Sequence, residues 1–422
     1  MSTPCQRTVN NLPTTPPQNR EKSGAKIMPA LDTRPLNTTS DITSDTTSDI
    51  TAESATGEST TPAKGRARKS YNNKAFIVNL DIDAGAKNIK ARFNGEYKVF
   101  PSIAKVIKDE VTLRDAGCFM HGKKNYVVGN AINRVNGEVI KASDNKKLEH
   151  LEIWILGAIT HFRRQLKQAV MSRKRKTEPV FLQVNLRILT LSSLKRKELE
   201  KTIKALSSFT WDDEQFTIAI KSLEFKDEAY GAALEVAHTE KIESFKLLDM
   251  GGGTLTYSDC EWDGYEILIR QQPISGGGMV RVMNSIFTAL ARTDRGAISS
   301  ESEDIQMALE ASTIDNSEWL VPLALNGKFE NIADEVLGAL SEWVSKNHNI
   351  MSMLDRIRHD LRKGEFVYCT GGGFAIKVVA EWVRDYLSSD IPNAQIKILE
   401  SPEKINIIGL RWIDEVENSK SN

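Results

Sequence analysis

Two segments of this chain, about 165 residues apart, repeat one pattern, and that repetition limits what the chain can fold into. The first reads Leu80-Asp81-Ile82-Asp83-Ala84-Gly85-Ala86-Lys87-Asn88-Ile89-Lys90, and the second Leu247-Leu248-Asp249-Met250-Gly251-Gly252-Gly253-Thr254-Leu255-Thr256. Each is an apolar strand ending in aspartate, then a glycine-containing turn, then a returning strand. Glycine lets backbone N–H groups close on phosphate oxygens as an anion-binding nest. The carboxylate at the strand end sits beside that turn and suits Mg²⁺ held through water, because magnesium keeps several of its waters. Two such hairpins facing across a cleft clamp a nucleoside triphosphate from both sides.

A third cluster, Val367-Tyr368-Cys369-Thr370-Gly371-Gly372-Gly373-Phe374, reads as a strand, a triple glycine and a helix start. Such a turn permits close approach of a base, ribose or phosphate. Any one of the three runs alone also reads as a tight strand-to-helix connection. Three with the same flanks are hard to explain as packing.

Hydrophobic periodicity places these runs in a repeating frame. Strands are expected over 76–82, 89–93, 180–188, 216–223, 245–249, 255–260, 366–369 and 395–399. One long helix is expected over 149–171, from Leu151, Ile155, Ala158, Ile159, Phe162, Leu166 and Val170. Further helices are expected over 193–206, 230–237, 287–290, 301–312, 330–346 and 375–387. Hairpins and βα units in two successive similar runs imply an α/β protein of two related halves.

Residues 1–72 are different. Up to Ser70 they hold no Phe, Trp or Tyr, and a short imperfect repeat, Ser40-Asp41-Ile42-Thr43, Ser44-Asp45-Thr46-Thr47, Ser48-Asp49-Ile50-Thr51, runs through them. So little apolar area cannot offset a chain entropy of roughly 1–2 kcal/mol per residue, and a disordered arm is expected. It closes on the basic cluster Lys64, Arg66, Arg68 and Lys69. It reads as a solvated tether, or as an arm that regulates assembly or recruits a partner.

The 56 Lys+Arg balance the 56 Asp+Glu, which gives no support to a nucleic-acid coat protein. The basic runs at 173–176 and 195–201 read as solvated faces, or as contacts to DNA or a membrane surface. Cys5, Cys118, Cys260 and Cys369 are far apart, against a zinc site or disulfide framework. No apolar run reaches membrane-span length and no signal-peptide core is present, so a cytoplasmic protein is expected.

The order Asp83-x-Gly85-x4-Lys90, Asp249-x-Gly251-Gly252-Gly253-Thr254, Thr370-Gly371-Gly372-Gly373 resembles the signature of the actin, sugar-kinase and heat-shock-chaperone ATPase superfamily. The resemblance spans about residues 74–416. Within that superfamily the chain looks most like the bacterial actin-like proteins of the ParM plasmid-segregation group. Asp227-Glu228-Ala229-Tyr230-Gly231-Ala232-Ala233 resembles the segment that carries the family's catalytic carboxylate, and Pro273-Ile274-Ser275-Gly276-Gly277-Gly278 the stretch after the second phosphate hairpin. Asn406-Ile407-Ile408-Gly409-Leu410 resembles the last helix, which returns to the first half.

The resemblance implies an actin-like (ribonuclease-H-like) fold. Domain I would take residues 73–243, completed by 402–418, and domain II residues 244–401, around a nucleotide cleft. It implies ATP and Mg²⁺ as cofactors, with Asp83 and Asp249 holding hydrated metal. Lys90 would neutralise developing phosphate charge and Glu228 would polarise the attacking water, work of positioning and electrostatics. Gly85, Ala86, Lys87, Asn88, Gly251, Gly252, Gly253 and Thr254 would bind phosphates, Gly371, Gly372 and Gly373 the adenosine, and Gly276, Gly277 and Gly278 would join the nucleotide site. Other readings stay open: Glu228 as a helix cap and Lys90 as an exposed strand residue. The chain departs from the family where Ala86 and Lys87 replace a small hydroxyl residue after the first glycine. Lys87 supplies a point charge in its place.

Fold does not choose function. A heat-shock chaperone needs a large substrate-binding region after the ATPase core, and only a few polar residues follow Trp412. A small-molecule kinase of sugar type remains the alternative, with Glu228 as its base. The expected function is an ATPase that polymerises into filaments. Its expected work is plasmid or DNA segregation, reaching DNA indirectly through a small ParR-type adaptor. A derived cell-shape role at the cell periphery, with a membrane-associated partner, is the other form of that reading.

Overall fold

The computed structural model describes residues 75–108, 117–142, 149–173, 175–190, 196–292, 302–315, 317–325 and 327–415. The arm over 1–72, Lys174, Lys195 and residues 416–418 lie outside them.

Ten strands form the first sheet: β1 (Phe76–Ala84), β2 (Asn88–Phe93), β3 (Glu96–Pro101), β4 (Ile103–Ile107), β5 (Cys118–His121), β6 (Lys124–Val128), β7 (Glu138–Lys141), β8 (Val180–Leu189), β9 (Ser208–Trp211) and β10 (Glu214–Lys226). Their order is β3-β2-β1-β8-β10-β9-β5-β6-β4-β7. Helices α1 (Leu151–His161), α2 (Arg163–Ser172) and α3 (Arg196–Lys204) belong to this half, and α4 (Tyr230–Glu240) leads out of it.

The second half carries β11 (Ser244–Met250), β12 (Thr254–Trp262) and β13 (Ile267–Ser275), then α5 (Met279–Arg292) and α6 (Ser302–Glu310). Two small hairpins follow, β14 (Thr313–Asp315) with β15 (Glu318–Leu320), and β16 (Pro322–Leu325) with β17 (Lys328–Asn331). Next come α7 (Ala333–Ser345), α8 (His348–Arg362), β18 (Val367–Thr370), α9 (Lys377–Ser388), β19 (Ile396–Ile398) and α10 (Ile405–Ile408). The second sheet is ordered β13-β12-β11-β18-β19.

Both sheets contain one motif. An antiparallel meander, β3-β2-β1 or β13-β12-β11, is followed by two strands parallel to its last member, β8 and β10 or β18 and β19. Parallel pairing needs a crossover, and helices on the sheet faces explain why β8 and β18 are buried along most of their length. Each half has its own core, one around Trp154 and Phe216 and one around Trp343 and Tyr257.

The long helix expected over 149–171 is broken. Phe162, at φ −91° and ψ 60°, separates α1 from α2, and its ring stacks on Phe93 at 5.2 Å. The periodic pattern survives the break because Phe162 is as buried as its neighbours. Burying that ring is worth about 1.5–3 kcal/mol, enough to offset the few helical hydrogen bonds lost at the kink. β3 to β7, β9, β13, the two small hairpins and α8 went unmarked in the sequence reading.

The returning C-terminal segment is stitched to both halves. An alanine-type Cβ at Gly231 would fall 1.8 Å from the Asn406 carbonyl oxygen, and one at Gly409 would fall 1.8 Å from that of Gly231. The α4–α10 crossing is therefore backbone on backbone. Further along, Arg411 Nη2 and Trp412 Nε1 donate to the two oxygens of Glu235 on α4, at 2.7 and 2.8 Å. Asp414 accepts from Arg92 at 2.8 Å and from Arg187 at 2.7 Å, and both arginines also hold buried Asp81, at 2.5 and 2.6 Å. Two arginines and two aspartates thus form a closed, neutral ring beneath the first hairpin.

The basic run after α2 is partly internal: Arg173 makes a bidentate pair with Glu214 at 2.7 and 2.8 Å. Among the described residues no helix is long and apolar enough to cross a membrane.

Candidate functional site

The two aspartate–glycine hairpins face one cleft of about 910 Å³, lined also by the third glycine run and by Glu228. The register of the β1–β2 pair sets Asp83 directly opposite Lys90. Lys90 Nζ lies 2.7 Å from Asp83 Oδ2, and Asp83 is 6% exposed. Lys90 is thus a partly buried cleft residue rather than an exposed strand position. Burial disfavours its charge, but Asp83, then Asp249 and Glu228, outweigh that and hold its pKa above the ordinary lysine value.

The first turn is pinned from below by buried Ser102. Its hydroxyl donates to the Gly85 carbonyl at 2.6 Å and its N–H to that of Lys87 at 2.9 Å. Any side chain at Gly85 would meet the Asn88 carbonyl oxygen at 2.7 Å. Ala86, Lys87 and Asn88 all line the cleft.

Asp249 closes β11 on the opposite wall. Burial raises its pKa to about 6; Lys90 counters this, Glu228 and Asp83 add to it, and a hydrogen bond from Asn406 lowers it. Three carboxylates, Asp83, Asp249 and Glu228, thus share the field of one ammonium, Lys90. The excess negative charge matches a divalent cation, and two aspartates with water and phosphate oxygens are an ordinary magnesium donor set. Among the described residues no group of three or more His, Cys, Asp or Glu forms a ready-made metal cage.

Glu228 reaches the cleft from the end of β10, whose pairing with β8 skips Lys221 in a bulge that re-aims the strand. The N-cap of α4 is Ala229, not Glu228. Ala229 has φ +69°, a left-handed conformation that costs an alanine about 1–2 kcal/mol. The strain sits between the candidate catalytic carboxylate and its helix.

The second turn is tied to α5. The N–H groups of Met279 and Val280 donate to the Gly251 and Gly252 carbonyls at 3.0 and 2.9 Å. Gly251, Gly252, Gly253 and Thr254 line the cleft, whereas Gly276, Gly277 and Gly278 do not. The reason is packing. A Cβ at Gly278 would strike the Gly251 carbonyl oxygen at 2.4 Å, and Trp343 Nε1 donates to the Gly277 carbonyl at 3.0 Å from behind. Gly277 and Gly278 thus back the second turn instead of opening onto the cleft, and Gly276 is exposed with open space at its Cβ.

Gly371, Gly372 and Gly373 line the cleft. Gly371, at φ +94°, lies so close to Asp249 that a Cβ there would meet its Oδ1 at 2.3 Å. The N–H groups of Gly371 and Gly373 are engaged with the Pro402 and Met250 carbonyls at 3.0 and 2.8 Å. This turn therefore offers close approach more than donors.

Sequence reasoning missed several residues here. Asn406 bridges Asp249 Oδ2 and the N–H of Ala232 on α4, 3.1 Å each way. Its Asn-x-x-Gly spacing was visible, but only as part of the returning helix. Thr190, Gln306, Glu310 and Glu403 also line the cleft, from parts of the chain without a local motif.

No protein-family model and no curated protein matches this sequence. Solved structures do. A ParM filament from Clostridium botulinum matches with a TM-score of 0.58 at 15% identity, over 81% of this chain and 99% of that one. An archaeal actin homologue matches with a TM-score of 0.56 at 16% identity, over 80% and 99% of the two chains; its ADP complex matches at 0.51. The actin-like protein Alp7A matches at 0.52 and 13% identity, over 82% and 98%. With two sheets of the same motif around one glycine-lined cleft, and neighbours of this kind along nearly their whole length, the chain has the actin-like fold.

Proposed function

We propose that this chain binds ATP with Mg²⁺ in the cleft, hydrolyses it, and couples that cycle to assembly with copies of itself into filaments, as a relative of the ParM group. The observation that carries this reading is the convergence of Asp83, Lys90, Glu228 and Asp249 between two facing glycine turns. The archaeal homologue's complex with ADP and the ParM filament are the comparisons that support it.

In this reading residues 73–243 with 402–418 form one domain and 244–401 the other. The glycine turns admit the phosphates closely, and Thr254 and Asn88 orient them. Lys90, kept charged by Asp83, offsets charge that builds on the phosphate oxygens. Glu228 orients and polarises the attacking water. Asp83 and Asp249 would hold the hydrated metal, which would supply further neutralisation of the triphosphate. Gly371, Gly372 and Gly373 leave room for the adenosine.

Filaments whose subunits add with ATP and loosen after hydrolysis suit cytoplasmic DNA segregation through a small ParR-type adaptor. A cell-shape role with a membrane-associated partner is the variant of this proposal. The test is light scattering with negative-stain imaging under ATP-Mg²⁺, ADP-Mg²⁺ or no nucleotide, with Glu228→Ala alongside. Nucleotide-dependent filaments that persist in Glu228→Ala support it. ATP binding without filaments under any condition favours a small-molecule kinase.

A further inference from the structure

Lys87 stands in the β1–β2 turn, where the chain carries a cation next to the first glycine. A Cβ placed on Gly252 would lie only 3.6 Å from Lys87 Cβ, so the two phosphate turns come within side-chain reach at this point. Across the cleft, α6 presents Glu303, Gln306 and Glu310 at i, i+3 and i+7, one stripe of the helix. Ile305, Ala308 and Leu309 are buried on its other side, which turns the acidic stripe away from the core. Gln306 and Glu310 line the same cleft as Lys87, and the Gln306 amide donates to the Glu310 carboxylate. Partial burial holds the Lys87 pKa below the ordinary lysine value, with Glu310 and then Glu303 opposing it only in part. Lys90, the other cleft lysine, is already paired with Asp83 at 2.7 Å.

We propose that Lys87 and the α6 carboxylates Glu310 and Glu303 form an exchangeable pair that makes the cleft discriminate ATP from ADP. Without a γ-phosphate, Lys87 is neutralised from across the cleft by Glu310 and Glu303. With one, the ammonium swings to the γ-phosphate and the α6 stripe loses its counter-charge. A lysine suits this exchange, being a compact charge on a flexible four-carbon stem. The carboxylates compete with the γ-phosphate, which ADP lacks, so they act on ATP affinity and leave ADP largely alone. This inference rests on the nucleotide reading above.

The test is competition of ATP and of ADP against a fluorescent nucleotide on the full chain. It compares wild type, Lys87→Ala, Glu310→Gln and the double variant, all at exposed positions. Lys87→Ala is expected to lower the ATP-to-ADP affinity ratio about tenfold, and Glu310→Gln to raise it severalfold. In the Lys87→Ala background, Glu310→Gln is expected to leave the ratio unchanged. A ratio unmoved by Lys87→Ala, or a Glu310→Gln effect of equal size with and without Lys87, overturns the pair alone. Wild-type protein that binds neither nucleotide overturns the parent reading and the pair with it.

Discussion

The side-chain amide of Asn406 donates to Asp249 Oδ2 at 3.1 Å, while its oxygen accepts the Ala232 N–H at 3.1 Å. One buried side chain thus fixes a cleft carboxylate against the first turn of the helix that follows Glu228. Asn406→Ala should lower kcat for phosphate release about tenfold with little change in KM, because it disturbs alignment more than binding. It should also cost about 1–3 kcal/mol of stability, from the Ala232 donor left without a partner. Steady-state kinetics and denaturant unfolding check both; unchanged kcat would remove Asn406 from the site's machinery.

Asp249 should trade stability for function. Its folded pKa, about 6 against an ordinary 3.8, means the fold prefers the protonated acid. That preference is fully present below pH 3.8 and is lost as pH rises through about 6, so at neutral pH the carboxylate is a net burden. Asp249→Asn should therefore raise the stability of the nucleotide-free protein at pH 7 by about 1–3 kcal/mol while abolishing hydrolysis. Thermal melts from pH 4 to 8 should show the gain growing with pH, and a variant less stable than wild type at pH 7 would contradict it.

Gly371 tolerates no side chain. At φ +94°, with Asp249 Oδ1 2.3 Å from any added Cβ, Gly371→Ala must displace either the turn or the carboxylate. The backbone term alone costs about 1–2 kcal/mol. Nucleotide affinity should fall at least tenfold in a titration, and the melting temperature should fall with it, whereas Gly372→Ala, with open space around its Cβ, should leave the melting temperature of the nucleotide-free protein unchanged.

Acid sensitivity should come partly from His161, outside the cleft. Its ring stacks on Phe100 at 3.7 Å, and Nδ1 donates to the Gly157 carbonyl at 2.7 Å. Burial lowers its pKa to about 4, the Gly157 contact opposing and Lys98 assisting. A base with a depressed pKa stabilises the fold above about 6.5 and loses that contribution as pH falls toward 4. His161→Gln should therefore flatten the fall in melting temperature between those values, and an unchanged slope would exclude the role.

What was legible in the sequence was what is local. Asp83, Gly85, Lys90, Asp249 and the two remote glycine runs are readable because a strand end, a turn and a return need only about ten consecutive residues. The same locality misled at Gly276, Gly277 and Gly278. A triple glycine before a helix has the look of a phosphate turn, and only the Gly251 backbone behind Gly278 shows that it is a buttress. Phe162 hid a helix break because burial continued through it. β13 was missed because its burial alternates while its residue types, Ile267-Leu268-Ile269 followed by Arg270-Gln271-Gln272, do not, and β14 to β17 because three or four residues carry too short a period. Asn406, Glu310 and Ser102 act over long sequence separations, where no spacing rule reaches.

The ring of Asp81, Arg92, Arg187 and Asp414 sets a timetable for the newborn chain. Once Arg187 has been made, two arginines destined for burial share one aspartate, and the balancing carboxylate is still 227 residues away. At about 5–20 residues per second, a ribosome needs roughly 10–45 s to deliver it. Through that interval the first sheet carries an uncompensated positive charge at its base. Only the arrival of Asp414 completes the ring, so this corner of the first sheet is the last part of it to be neutralised.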